Sequence, residues 1–268
     1  RTSLVFVKRM MAVAVSTITY LRGIFPEDAY RSRYLEGEHV WTPIAHKFRD
    51  ILLMGCFEAL EKQYVSRLQP VIIISKEHLF FLVLQCITES YQFKFRYTEK
   101  GPEIDILRNR SMEMQVTLED TKRASVLLIR KLFLLMQNLD ALPSNVYMTM
   151  KLYYYDDITP ADYQPPGFKE GECDNLWFEG IPVHFRVGEV QTAFHNLRVR
   201  VSADQGRVEK LQNGNHLREA KQVPERISPE KEVTRVEDDL PSEDGKSVCS
   251  YISENVKLTM GAYTDDFL

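Results

Sequence analysis

Cys173, His184 and His195 are the residues of this chain that could form a metal site or a catalytic pair, because a thiol and two imidazoles serve as ligands or proton carriers wherever a fold gathers them. Their spacing matches no ligand motif, and surface histidines near the ends of strands account for them equally well. Arg198 and Arg200 alternate on one strand face and could hold phosphate, although a solvated outer face is the simpler reading. Asp156 and Asp157 could bind a cation, but a pair of carboxylates at a strand end more often makes a turn. Tyr91, Phe93, Phe95 and Tyr97 could stack on nucleic-acid bases. Core packing is the better account, since only Lys94 and Arg96 supply positive charge, and they lie on the opposite face.

No phosphate-binding G-x-x-x-x-G-K-[ST], no G-x-G-x-x-G, no G-x-S-x-G and no H-E-x-x-H occurs. No cofactor is therefore expected, and no catalytic residue is assigned. The 268 residues, 44% hydrophobic and 11% aromatic, are enough for one domain with material left over. A net charge of -4 gives no global field toward nucleic acid or an anionic membrane, so neither is expected as a direct partner. Cys56, Cys86, Cys173 and Cys249 form no C-x-x-C pair, which fits a reducing compartment and argues against a zinc knuckle. The apolar run Leu79–Leu84 is too short to cross a bilayer, and no transmembrane helix is expected. An opening at Arg1 without a signal-peptide pattern is expected of a sequence that starts inside a longer protein.

The elements that would position these residues follow from periodicity. Leu4, Val7, Met10, Met11, Ala14, Ile18 and Leu21 predict an amphipathic helix over 4–22, ending near Gly23 and Pro26. Ile51, Met54, Phe57, Leu60, Tyr64 and Leu68 predict a second helix over 50–68, stopped by Pro70. Strict alternation predicts a strand over 91–97, and the polar stretch 98–116 a loop. Thr117 to Asp120 is a capping sequence for a third helix reaching about Leu139, apolar nearly all round and so expected to be covered on most sides. Strands follow at 146–156, 183–187 and 197–201, with an irregular proline-rich stretch from Thr159 to Phe168. In the strand 146–156, Val146, Met148, Met150, Leu152 and Tyr154 are expected on the core side, and Tyr147, Thr149, Lys151, Tyr153 and Tyr155 on the other. Residues 204–268, polar and with no aromatic residue from Ala203 to Ser250, are expected to be a disordered charged tail. This order predicts an α+β domain over 1–203.

Five blocks carry a resemblance: Ser16–Glu27, Tyr91–Thr98, Lys122–Lys131, Met148–Asp156 and Asp162–Lys169. Together, in this order and spacing, they resemble the HORMA domain of vertebrate meiotic chromosome-axis proteins, and the likeness covers most of residues 4–203. The resemblance implies the HORMA fold, with three main helices on a mostly antiparallel sheet and a C-terminal safety belt, here about 157–203. It implies that strand 146–156 accepts a partner's closure-motif peptide as an added strand, held under the belt. Peptide contact is expected at Lys151, Tyr153 and Tyr155, and in the belt at Tyr163, Pro165, Pro166 and Phe168, although ordinary strand packing accounts for the tyrosines as well. The implied partners are closure motifs of axis proteins, HORMA paralogues or the chain itself, and an AAA+ remodelling ATPase. The implied setting is the nucleus, on meiotic chromosome axes, in double-strand-break formation, homologue synapsis and checkpoint signalling. A HORMA adaptor in the spindle checkpoint or DNA repair, or an enzyme using His184, His195 and Cys173, is the alternative.

Segments 39–49 and 76–87 depart from the family pattern and are hypothesised to be misjoined coding sequence; a sequenced transcript with the same residues would dispose of that idea. If genuine, the second is expected to distort the hairpin before Tyr91. Ser253–Leu268 does not resemble the closure motif that ends longer relatives, so no self-binding motif is assigned. Ser228, before Pro229, is a candidate site for a proline-directed kinase.

Overall fold

The computed structural model describes residues 2–35, 38–43, 53–78, 82–98, 117–143, 145–171, 178, 180–208, 249–252 and 256–257. Ser228, Cys173 and most of the 98–116 loop lie outside the described residues.

Helix α1 (Thr2–Leu21) forms on the predicted stripe and buries Val7, Met10, Met11, Ala14 and Ile18. It is long and apolar enough to span a membrane by those measures alone, yet here it is a core helix laid on the sheet. Strands β1 (Tyr30–Leu35) and β2 (Glu38–Pro43) form a separate antiparallel pair, so part of the anomalous 39–49 segment is strand. The second helix ends earlier than its periodicity suggests: α2 (Met54–Glu61) stops well before Leu68. Gln63 adopts φ 61°, and the backbone N–H of Tyr64 donates to the Ala59 carbonyl, which closes the helix before Val65 starts β3.

Strand β3 (Val65–His78) pairs with β4 (Leu82–Tyr97) in a long hairpin. Pro70 therefore lies within a strand instead of stopping a helix. The β3–β4 ladder skips Gln69 and Pro70, where proline has no N–H to donate. Residues 82–87 of the apolar run are accommodated as strand paired with 73–78, with one register shift at Ile72/Ile73, and residues 79–81 lie outside the described residues. Helix α3 (Leu118–Asn138) begins with the expected capping box between Thr117 and Asp120. It buries Leu128, Ile129, Leu132, Leu135 and Met136, but Leu127 is 52% and Leu134 58% exposed. The expectation that this helix is covered on most sides is corrected: it has one open flank, and α1 is the more enclosed helix.

Strands β5 (Val146–Tyr154), β6 (Phe168–Gly171), β7 (Pro182–Gln191) and β8 (His195–Asp204) complete the domain, and β9 (Cys249–Ile252) and β10 (Val256–Lys257) come from the tail. The sheet order is β6-β9-β5-β3-β4-β8-β7, with β10 beside β5, and every ladder is antiparallel. The three helices and this sheet make the expected α+β architecture.

Two expectations about the end of the domain are corrected. Order continues past residue 203 through a 3-10 turn (Gln205–Arg207), and Val208 is fully buried. The tail expected to be disordered over 204–268 contributes strands β9 and β10, because Cys249–Ile252 finds an open sheet edge to satisfy its backbone. A buried ionic hub ties the fold's ends together. Glu89 on β4 accepts from Arg22, after α1, at 2.5 Å and from Arg207 at 3.2 Å, and both arginines also donate to the Asp140 carbonyl. Tyr91 donates to the same carboxylate, and burial followed by the Glu89 charge raises its hydroxyl pKa well above the usual range.

Candidate functional site: a strand-accepting groove beside β5

Alternation along β5 sends Val146, Met148, Met150, Leu152 and Tyr154 into the core, as expected. The other face carries Thr149, Lys151 and Tyr153, each about 6% exposed. On one side β5 is joined to β3 from Val65↔Tyr154 to Ile74↔Val146. On the other side it meets β9, with Tyr153↔Cys249, Leu152↔Ser250 and Lys151↔Tyr251 in register. Strand β6 closes over the far edge of β9 through Gly171↔Cys249, Glu170↔Ser250, Lys169↔Tyr251 and Phe168↔Ile252. The groove thus holds a strand between two backbone ladders, and the segment 249–252 fills it.

The belt reaches this position through a tight turn. Tyr155 leaves the β5 ladder: its N–H donates to the Tyr64 carbonyl and its hydroxyl to the Phe95 carbonyl. Asp156 and Asp157 are exposed turn residues, in keeping with the simpler reading. The Phe168 N–H donates to Pro165 at 3.1 Å across Pro166-Gly167, with Gly167 at φ 78°, a type II turn that needs glycine at its third position. Phe168 is buried and Pro165 with it, while Pro166 is exposed. Helix α2 comes so close that a Cβ on Gly55 would sit 2.3 Å from the Pro166 carbonyl oxygen. Tyr163 packs edge-on against Tyr64 and Tyr154, with ring centroids 4.9 and 5.7 Å away, and the Lys62 ammonium lies over its ring. Tyr163 thus anchors the turn to the domain. After Gly171 the chain reaches Phe178, which bridges to Ile87 and packs on Val71 and Ile73 on the sheet face away from the helices, before β7 joins the opposite edge.

Of the expected contact residues, Lys151, Tyr153 and Phe168 flank the added strand in register, whereas Tyr155, Tyr163, Pro165 and Pro166 belong to the turn that holds β6 in place. Sequence reasoning missed Lys169 and Gly55, and missed β9 itself. The available signal was Tyr251-Ile252, where an aromatic residue returns after a long polar stretch without one.

The two candidate histidines are not brought together. His184 lies on the outer sheet face, bonded to the Ser202 hydroxyl at 2.7 Å. His195 is buried on the core face about 24 Å away along β8, where Ser3 bonds its Nδ1. Burial lowers its pKa. Arg198 is paired with Glu189 at 3.0 Å, and Tyr91, Phe93 and Phe95 are buried in the core, so they form no stacking platform.

An α+β domain whose sheet edge admits a strand beneath a wrapped C-terminal segment defines a strand-accepting binding module. The chain belongs to the HORMA domain family, whose profile matches residues 3–195. It is 45% identical over 246 residues to HORMA domain-containing protein 1 of Xenopus laevis, covering 89% of this chain and 61% of that protein. Against the Homo sapiens protein of the same name it is 46% identical over 218 residues, covering 78% of this chain and 54% of that one. The chain therefore spans between 54% and 61% of the length of these two relatives. Similar solved structures include C. elegans HTP-1 bound to the HIM-3 closure motif (TM-score 0.61, 18% identity, 75% of this chain and 89% of that one). A chain of the mitotic checkpoint complex also matches (TM-score 0.55, 15% identity, 76% and 99%). At these identities they share the fold.

Proposed function

We propose that this chain is an adaptor, with no catalytic role, that captures a peptide of a partner protein as a strand between β5 and β6. The observation that carries this reading is the seating of 249–252 in that place, with backbone ladders on both sides. Main-chain hydrogen bonds would supply much of the affinity and flanking side chains the choice of partner. The chain's own segment is then an occupant in cis that a partner peptide must displace. The solved C. elegans relatives, described as bound to closure motifs, support peptide capture as the use of this groove.

The likeness to HORMA domain-containing protein 1 supports a role in the nucleus on meiotic chromosome axes. There the partners would be closure motifs of axis proteins or HORMA paralogues, and the processes double-strand-break formation, homologue synapsis and checkpoint signalling. An AAA+ remodelling ATPase would release the belt. The test is to expose the full chain to tiled peptides from axis proteins and follow dissociation of each bound peptide. Binding that lasts for many minutes, and is shortened when the belt turn is perturbed at Gly55, is expected. A folded chain that retains no peptide would overturn the reading.

A further inference from the structure

The sheet face away from the helices carries a band of cations. Tyr153, Arg67, Lys94 and Arg198 are consecutive cross-strand neighbours, ending at Glu189 on the edge strand β7. The Arg67 guanidinium lies 3.7 Å from the centre of the Tyr153 ring, and Glu189 is engaged by Arg198. Lys151, one pair further along β5, faces the same side.

The added strand meets this band at one position. Register places residue 251 between Lys151 of β5 and Lys169 of the belt. Phe168 is buried toward the core and Lys169 is exposed, so alternation puts the two lysines on the same face, one on each side of the inserted strand. Lys151 is 6% exposed with the strand seated, so its side chain lies close against whatever residue the inserted strand places opposite it. The next position, beside buried Phe168, suits an apolar residue, as Ile252 is here.

Building on the peptide-capture reading, we propose that the groove selects peptides with aspartate or glutamate at the position flanked by Lys151 and Lys169, followed by an apolar residue. A lysine there would line up three ammonium groups across adjacent strands. The chain's own segment has neutral Tyr251 at this position, so it is a weaker occupant per contact than an acidic partner peptide and holds its place through the high effective concentration of a tethered segment. Selection of this kind lets a partner replace the tail without a change in the backbone ladder.

The experiment uses the 268-residue chain with Tyr251→Pro, which removes a strand donor and keeps its own tail from filling the groove. Three fluorescent peptides with the sequence of residues 249–257 are compared by anisotropy: unchanged, Tyr251→Glu and Tyr251→Lys. The glutamate peptide is expected to bind about 2- to 30-fold more tightly than the unchanged one, the range of two opposite-charge cross-strand pairs. The lysine peptide is expected to bind most weakly, and added salt should narrow the spread. Lys169→Glu, an exposed substitution that avoids the buried lysine, should close or reverse the gap between the glutamate and lysine peptides. Equal affinities for all three, or an order unaltered by Lys169→Glu, would overturn the proposed selection while leaving peptide capture standing. If a chain shown to be folded by circular dichroism binds none of the three, the selection fails, whereas peptide capture fails only if that chain also retains none of the axis-protein peptides.

Discussion

Strand β5 has two neighbours that differ in almost everything except their hydrogen bonds. Toward β3 it belongs to a continuous unit in which β3, β4 and β8 carry Leu68, Ile72, Phe93, Phe95, Val199 and Val201 into one core. That unit is bolted across the helices by Glu89 with Arg22 and Arg207. Toward β9 the ladder is short, its strand arrives from a remote part of the chain, and its outer partner β6 is held by a turn and one buried ring. Backbone pairing has the same antiparallel pattern on both sides but runs the length of β5 only toward β3, so permanence comes from the extent of the ladder, side-chain burial and chain connection. A sheet can therefore be rigid along one edge of a strand and exchangeable along the other.

The largest break in this contrast is expected from Glu89→Ala. Leaving buried Arg22 and half-buried Arg207 without their carboxylate should lower stability by about 3–5 kcal/mol, seen as a shift in the denaturant midpoint of the whole domain. Gly55→Ala tests the belt: its methyl group collides with the Pro166 carbonyl and the Phe168 ring, and a loss of about 1–3 kcal/mol is expected. Proteolysis and hydrogen exchange should show that loss concentrated at 165–171, and an even loss across the core would contradict the local anchoring of β6. Tyr251→Pro should change global stability by no more than about 0.5 kcal/mol, while amide exchange on the open side of β5 accelerates. A global transition that moves with it would mean that β9 belongs to the permanent unit.

The smallest effect concerns pH and the permanent side. Burial holds the His195 pKa below its ordinary 6.5. The unfolded chain then binds the extra proton first, so stability is full above about pH 6.5 and falls on acidification toward the folded-state pKa. His195→Asn should flatten stability against pH in that window, and an unchanged slope would show that another group titrates there.

Much of the fold was legible where one periodicity ruled. The α1 stripe, the Thr117 cap, and the alternation in 91–97 and 146–154 appear as expected because each is set by neighbours along the chain. The stretch 50–68 misled because Tyr64 and Leu68 fall in helical phase with Leu60, although the chain turns at Gln63 and Leu68 enters the core from a strand. Helix α3 was expected to be covered on most sides because its sequence is apolar nearly all round, yet Leu127 and Leu134 remain open. In the candidate site, Lys151 and Tyr153 were placed by the alternation of their strand, whereas Phe168, read as the end of an irregular stretch and assigned to the belt only by resemblance, opens strand β6. Lys169 was not singled out, because its place beside residue 251 arises only when β6 aligns with β9.

By itself, then, the sequence determined the apolar faces, caps and turns, such as Pro166-Gly167, and through its resemblance the family, since these depend on residue type and local spacing. Only the tertiary structure decided which backbone edge stays open, that Cys249–Ile252 occupies it, and that Lys151 and Lys169 stand on either side of one inserted residue. Cross-strand neighbours are set by register between distant segments, and register is a property of the assembled sheet, absent from any local window of the chain.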